Sequence, residues 1–166
     1  NWIPAGKAGW TVPEADVPPR NNWFWSPSSD GNLFTLDQLR NIYNRSIGHG
    51  SNLLMNLTPD RRGLIPDAEV QRLGELGKDI QRRFGKPVAE TNSDGLWNEG
   101  TTLELKVPGS LINEVVIEED VRFGQRVRRY RLEIEKDGKW QTLVEGQSIG
   151  RKRIEALSAT IQAAKI

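Results

Sequence analysis

The sequence predicts an α/β segment followed by an all-β segment. Three observations carry this prediction. Up to residue 87 a helical period is followed by a short continuous apolar run and then by a second helical period. After Leu103 the apolar residues recur at every second position, and Asp137-Gly138 is a strong hairpin turn between two such runs. The first pattern is that of a parallel sheet covered by helices, the second that of an antiparallel sheet with one wet face.

Residues 1–33 show neither helical nor strand periodicity. Pro4, Pro13, Pro18, Pro19 and Pro27 forbid a continuous helix, and Ser28-Ser29-Asp30-Gly31-Asn32 is turn material. Four of the chain's 6 Trp (Trp2, Trp10, Trp23, Trp25) fall here, so the segment is a long aromatic loop, a kind that usually carries function. Residues 35–47 read as a helix: Thr35 caps it, Gln38 completes a capping box, and Leu36, Leu39, Ile42, Tyr43 and Ile47 keep helical spacing. Gly48 stands where a left-handed terminator is wanted. Asn52-Leu53-Leu54-Met55-Asn56-Leu57 then reads as a strand buried on both faces, and Thr58 to Gly63 as a loop. Pro66 opens a second helix whose buried stripe is Val70, Leu73, Ile80 and Phe84, with Gly85 and Pro87 ending it. This order is the tail of an α/β repeat.

Beyond a boundary at about 87–96, Leu103–Val107, Val115–Ile117, Tyr130–Ile134 and Trp140–Val144 read as strands of an antiparallel sandwich, with Trp140 in its core. The expected domains are 1–88 and 89–166, both incomplete. One buried strand and two helices are too few to close an α/β layer, and the chain stops in apolar residues able to enter another strand, so the natural protein is expected to extend upstream and slightly downstream.

The 166 residues carry 23 Lys+Arg against 22 Asp+Glu, a formal net charge of +1. That balance argues against a nucleic-acid electrostatic footprint and against a polybasic membrane anchor. No apolar run approaches the roughly 20 residues of a membrane-spanning helix, and no signal peptide opens the chain. With no Cys and a single His, His49, thiolate and His-rich metal sites are excluded, and no phosphate-cradling Gly-rich loop is present. No cofactor or metal is expected. His49 either reaches a ligand from the start of a strand or is a surface or capping residue. Arg126, Arg128, Arg129 and Arg131 form a basic cluster balanced by nearby acids, a solvated strand face rather than an RNA surface.

The remaining candidate chemistry lies in Pro13-Glu14-Ala15-Asp16-Val17-Pro18-Pro19-Arg20-Asn21-Asn22-Trp23-Phe24-Trp25. A carboxyl beside Trp faces loses water, holds its proton more tightly and suits a general acid. Trp faces stack on sugars, and Arg20 either bonds their hydroxyls or orients a carboxylate. The alternative is that the Trp residues pack a lid and that Glu14 or Asp16 caps a turn.

Pro13-Glu14-x-Asp16-Val17-x-x-Arg20-x-x-Trp23-Phe24-Trp25 resembles the segment before the last part of the catalytic barrel in α-L-fucosidases of glycoside hydrolase family 29. Trp2–Ala5, Leu36–Leu39, Ile42-Tyr43, Ser46–Gly48, Asn52–Asn56 and Pro59–Ile65 continue the resemblance in family order. Residues 111–154, notably Val121–Val127 and Asp137–Trp140, resemble the discoidin-like sandwich that follows the barrel.

The resemblance implies the C-terminal segment of a TIM-like (β/α) barrel followed by an antiparallel β-sandwich (jelly-roll, discoidin-like). It implies a retaining exo-glycosidase acting on terminal α-L-fucosyl linkages, with Glu14 as acid/base and Arg20, Trp23 and Trp25 near the sugar. The Asp nucleophile and the fucose-gripping His residues would lie upstream, so the chain alone would be inactive. Its partners would be a fucosylated glycan and the remainder of the barrel, without nucleic acid or membrane insertion. Its location would be secreted, periplasmic or lysosomal. A catalytically silent homologue, or a carbohydrate-binding or structural sandwich using Trp97 and Trp140, is the alternative. The sequence departs from the family pattern at Pro18-Pro19 (often Ser-Ile), Asn22 (often Gly) and Ser26 (often His).

Overall fold

A computed structural model of the chain describes residues 13–93, 100–107, 109 and 111–166. Trp2 to Ala5, Trp10, Trp97 and the Asp94-Gly95 end of the expected linker lie outside the described residues. The chain divides into two compact units, Asn1–Ile80 and Gln81–Ile166.

In the first unit, strand β1 (Glu14–Val17) pairs in parallel with β2 (Asn52–Met55), Glu14 level with Asn52 and Val17 with Met55. Helix α1 (Leu36–Ser46) lies between them in sequence, so β1-α1-β2 is a parallel crossover unit. The Thr35 capping box is present in both halves: Gln38 N–H donates to Thr35 Oγ1, and Thr35 N–H to Gln38 Oε1. A 3-10 turn (Ile47–His49) prolongs α1, so the left-handed terminator is Gly50 (φ 79) and not Gly48.

β1 was not visible as periodicity. Four residues between two prolines, two of them acidic, give neither alternation nor β-propensity to read. β2 has one strand neighbour among the described residues, and only one of its faces is covered. Leu53 and Met55 are half-buried, whereas Asn52 and Leu54 are exposed, together with Glu14 and Asp16 opposite them. The expectation of burial on both faces therefore fails here.

Helix α2 (Asp67–Phe84) buries a stripe different from the one its apolar residues suggested. Val70 is exposed, while Glu69, Leu76 and Asp79 are buried. The two buried acids are matched by arginines: Arg40 clasps Asp79 through Nε–H to Oδ2 (2.8 Å) and Nη2–H to Oδ1 (2.7 Å), and Arg20 clasps Glu69. Buried carboxylates are tolerated because each has a guanidinium partner.

The second unit holds two antiparallel strand pairs: β3 (Leu111–Ile117) with β6 (Arg153–Gln162), and β4 (Tyr130–Lys136) with β5 (Lys139–Gly146). The turn between β4 and β5 has Asp137 at φ 53 and Gly138 at φ 72. Two consecutive left-handed residues match the twist of a tight hairpin, as the Asp-Gly dipeptide predicts. The core is Val107, Ile112, Leu132, Ile134, Ile154 and Ala163. Leu103–Val107 is not a regular strand; Leu105 and Val107 instead exchange backbone hydrogen bonds with Ala164 and Ile166 at the chain's end. Trp140 is not core: it is 47% exposed and lies opposite Glu135 on the outer face of the hairpin.

Candidate functional site at the ends of two parallel strands

The backbone leaves β1 through Pro18-Pro19 and forms a loop whose two ends are clipped together. Phe34 N–H donates to Pro19 O (2.8 Å), and Arg20 bridges to Leu33. Such a compact loop is held by its own side chains. The clip here is Arg20, only 2% exposed. Its guanidinium donates to Ser29 Oγ, to Glu69 in the first turn of α2, and to Asp30 Oδ1 (3.4 Å). Ser29 in turn accepts from Ser26 N–H (3.0 Å) and donates to Ser26 O (2.7 Å), and Trp25 Nε1–H donates to Asp30 Oδ1 (2.9 Å). One buried cation thus organises residues 25–30.

Of the two roles the sequence offers Arg20, bonding sugar hydroxyls or orienting a carboxylate, the structure shows it holding the carboxylate of Glu69. Both Nη groups of Arg20 donate to protein acceptors, and the side chain is buried. The partner was invisible in the local sequence because Glu69 lies 49 residues away.

Trp23 and Trp25 are placed at the C-terminal ends of the strands. Asn56 Nδ2 (3.2 Å) and Thr58 Oγ1 (2.7 Å), just beyond β2, both donate to Trp23 O. This bond fixes the aromatic turn above the β1–β2 pair. Trp23 is 47% exposed and Phe24 75%, an open aromatic surface, while Trp25 is half-buried. Asn56, flanking the strand, is expected from the sequence to satisfy loop backbone and does so here, whereas Thr58 had not been singled out. The signal was their position directly after a buried strand, where side-chain amides and hydroxyls satisfy loop carbonyls.

Glu14 sits elsewhere. It is exposed at the N-terminal end of β1, where Asn52 Nδ2 donates to its Oε2 (2.8 Å). Three residues of strand separate it from Val17, roughly 10 Å at strand spacing. The structure does not bring Glu14 to the aromatic turn. Asp16 lies on the same open face, two positions nearer the C-terminal end. His49 is exposed, on the side of β2 where the chain enters.

A polar cleft of about 570 Å³ opens within the loop, with Asn21, Asn22, Ser26, Ser28, Asn32 and Gln38 among its lining. Among the described residues no group of three or more His, Asp or Glu is placed to hold a metal. No helix among them is long and apolar enough to cross a membrane.

The described residues thus form a parallel β-α-β unit with an aromatic loop at the C-terminal strand ends, followed by antiparallel strand pairs. Comparison with known proteins is specific. α-L-Fucosidase 1 of Arabidopsis thaliana is 30% identical over 93% of this chain. Among solved structures, a Bacteroides thetaiotaomicron protein provisionally named an α-L-fucosidase superposes with a TM-score of 0.83 and 36% identity, over 94% of this chain and 36% of its own. A Ruminococcus gnavus family 29 fucosidase, solved with fucose, gives 0.81 and 26% over 96% of this chain and 38% of its own. No family model matches. The chain belongs to glycoside hydrolase family 29, the α-L-fucosidases. It spans about a third of the length of the curated relatives it matches (35% of the Arabidopsis enzyme).

Proposed function

We propose that the chain is the C-terminal third of a retaining exo-α-L-fucosidase. β1-α1-β2-α2 would form the end of its (β/α) barrel, and the remainder the following sandwich. The observation that carries this reading is the aromatic turn of Trp23 and Phe24, pinned at the C-terminal ends of two parallel strands. In such barrels that end bears the active site. The open face of Glu14, Asp16, Asn52 and Leu54 would then look into the barrel, and the missing strands would cover it. A fucosylated glycan is the substrate class, as the fucose complex of the R. gnavus relative suggests. The extracytoplasmic location implied by the resemblance belongs to the same proposal.

In the retaining mechanism a nucleophilic Asp from an upstream strand attacks the anomeric carbon. An acid/base carboxyl protonates the departing oxygen, then takes a proton from the water that releases fucose. The resemblance gives the acid/base role to Glu14. A second reading is favoured by its bond to Asn52 at the far end of β1: Glu14 fixes the register of the two strands and is a positioning residue.

Glu14→Gln in the full-length protein separates the two. An acid/base role predicts loss of turnover on a natural fucoside by about 10²-fold or more, with an activated aryl fucoside largely spared and azide accelerating it. Equal changes on both substrates, or none, leave Glu14 a positioning residue. Absence of fucosidase activity in the unaltered, folded protein would make it a silent homologue.

A further inference from the structure

The cleft inside the Arg20–Leu33 loop is not used by any step above. We propose that it seats the sugar on the leaving-group side of the scissile bond, so that Asn21 and Asn22 set which glycan the enzyme accepts; the proposal rests on the fucosidase reading of this site.

The lining carries the argument. The cleft's volume, about 570 Å³, falls in the range of ordinary ligand sites. Its accessible polar groups are amides and hydroxyls. The one charged lining residue, Arg20, is buried and held by Glu69, Ser29 and Asp30. A neutral ligand rich in hydroxyls suits such a surface; an anion or cation would find no counter-charge.

Donors are available. Asn22 uses Oδ1 to accept from Phe24 N–H (3.2 Å), and among the described residues its Nδ2 has no partner. Among them Gln38 likewise spends only Oε1, on the α1 cap, and Asn21 makes no side-chain bond. All three belong to the connection between β1 and α1, the same connection that carries Trp23 and Phe24.

The test uses the full-length protein with Asn21→Ala/Asn22→Ala, and separately Asn22→Gly, which removes one amide alone. kcat/KM is measured on an aryl α-L-fucoside, which has no second sugar, and on a panel of fucosylated disaccharides. The proposal expects unchanged aryl hydrolysis and a fall of about tenfold on the preferred disaccharide, the loss of one or two neutral hydrogen bonds. Parallel losses on both substrates in variants with unaltered melting would overturn it, because the loop would then only support the aromatics. Unchanged kinetics on every disaccharide would overturn it too. An unaltered protein inactive on all fucosides would instead sink the fucosidase reading itself, and the cleft assignment with it.

Discussion

Arg20 and Glu69 are both almost fully enclosed, at 2% and 0% exposure, yet neither is satisfied throughout. Arg20 Nε and Glu69 Oε2 have no partner. Removing one member of such a pair strands the other charge in a place water cannot reach, which costs about 3–5 kcal/mol. Arg20→Ala and Glu69→Ala are therefore each expected to lower unfolding stability by about that amount in denaturant titration. The double replacement by apolar residues of similar volume is expected to recover much of it. Equal, additive losses would show that the pair is not coupled. This pair also marks the limit of reading by residue type. An Arg among Trp residues reads as a sugar ligand or as a carboxylate's partner, and only the fold identifies that carboxylate, on a helix 49 residues on. Trp23 was legible as part of an aromatic loop, but its exposure and its place at the strand ends come from the fold. Of its supports, Asn56 was legible as a residue that satisfies loop backbone from its place at the end of a strand, and Thr58 was not.

Local signals decided which elements could be read. The α1 cap was fully legible, since a capping box is a four-residue code and both of its bonds are made. Thr35→Ala is expected to cost about 1 kcal/mol, measured as a shift of the denaturation midpoint. The β4–β5 hairpin was equally legible from Asp137-Gly138. β1 was not, being four residues long, and α2 misled because its buried face is acidic. In the β4–β5 pair, Tyr130 donates its hydroxyl to Glu155, which Arg153 also holds (2.6 Å). Burial first, and then that carboxylate, push the phenol up to about 12. A phenol raised above its unfolded value of about 10 stabilises the fold fully below that pH and loses the contribution as pH climbs through about 12. The melting-temperature advantage of the native protein over Tyr130→Phe is expected to be constant below about pH 10 and to shrink above it. A constant gap through pH 12 would contradict the assignment. Across the pair, a Cβ at Gly146 would run into the Tyr130 ring, so Gly146→Ala is expected to destabilise the sandwich unit although its backbone is unstrained.

For the molecule as a whole, the open faces are the informative feature. Leu54 and Val70 stand exposed in the first unit, and Leu111, Val116 and Trp140 in the second. Singly exposed apolar residues are ordinary; Leu54 differs in sharing one open strand face with Asn52, Glu14 and Asp16, the face that the proposed barrel would enclose. The order of elements, α/β then antiparallel β, was legible because the hydrophobic period changes once along the chain, from 3.6 to 2. The division into units was less so, because α2 runs through it without a break in helical pattern. The isolated 166 residues are expected to hydrolyse no fucoside, since the nucleophile would come from strands outside them.

The most direct measurement follows hydrolysis of an aryl α-L-fucoside by the full-length protein with proton NMR. Release of fucose that appears first as the α-anomer and then equilibrates is the predicted result. A folded protein that releases no fucose, or releases it first as the β-anomer, would contradict the account.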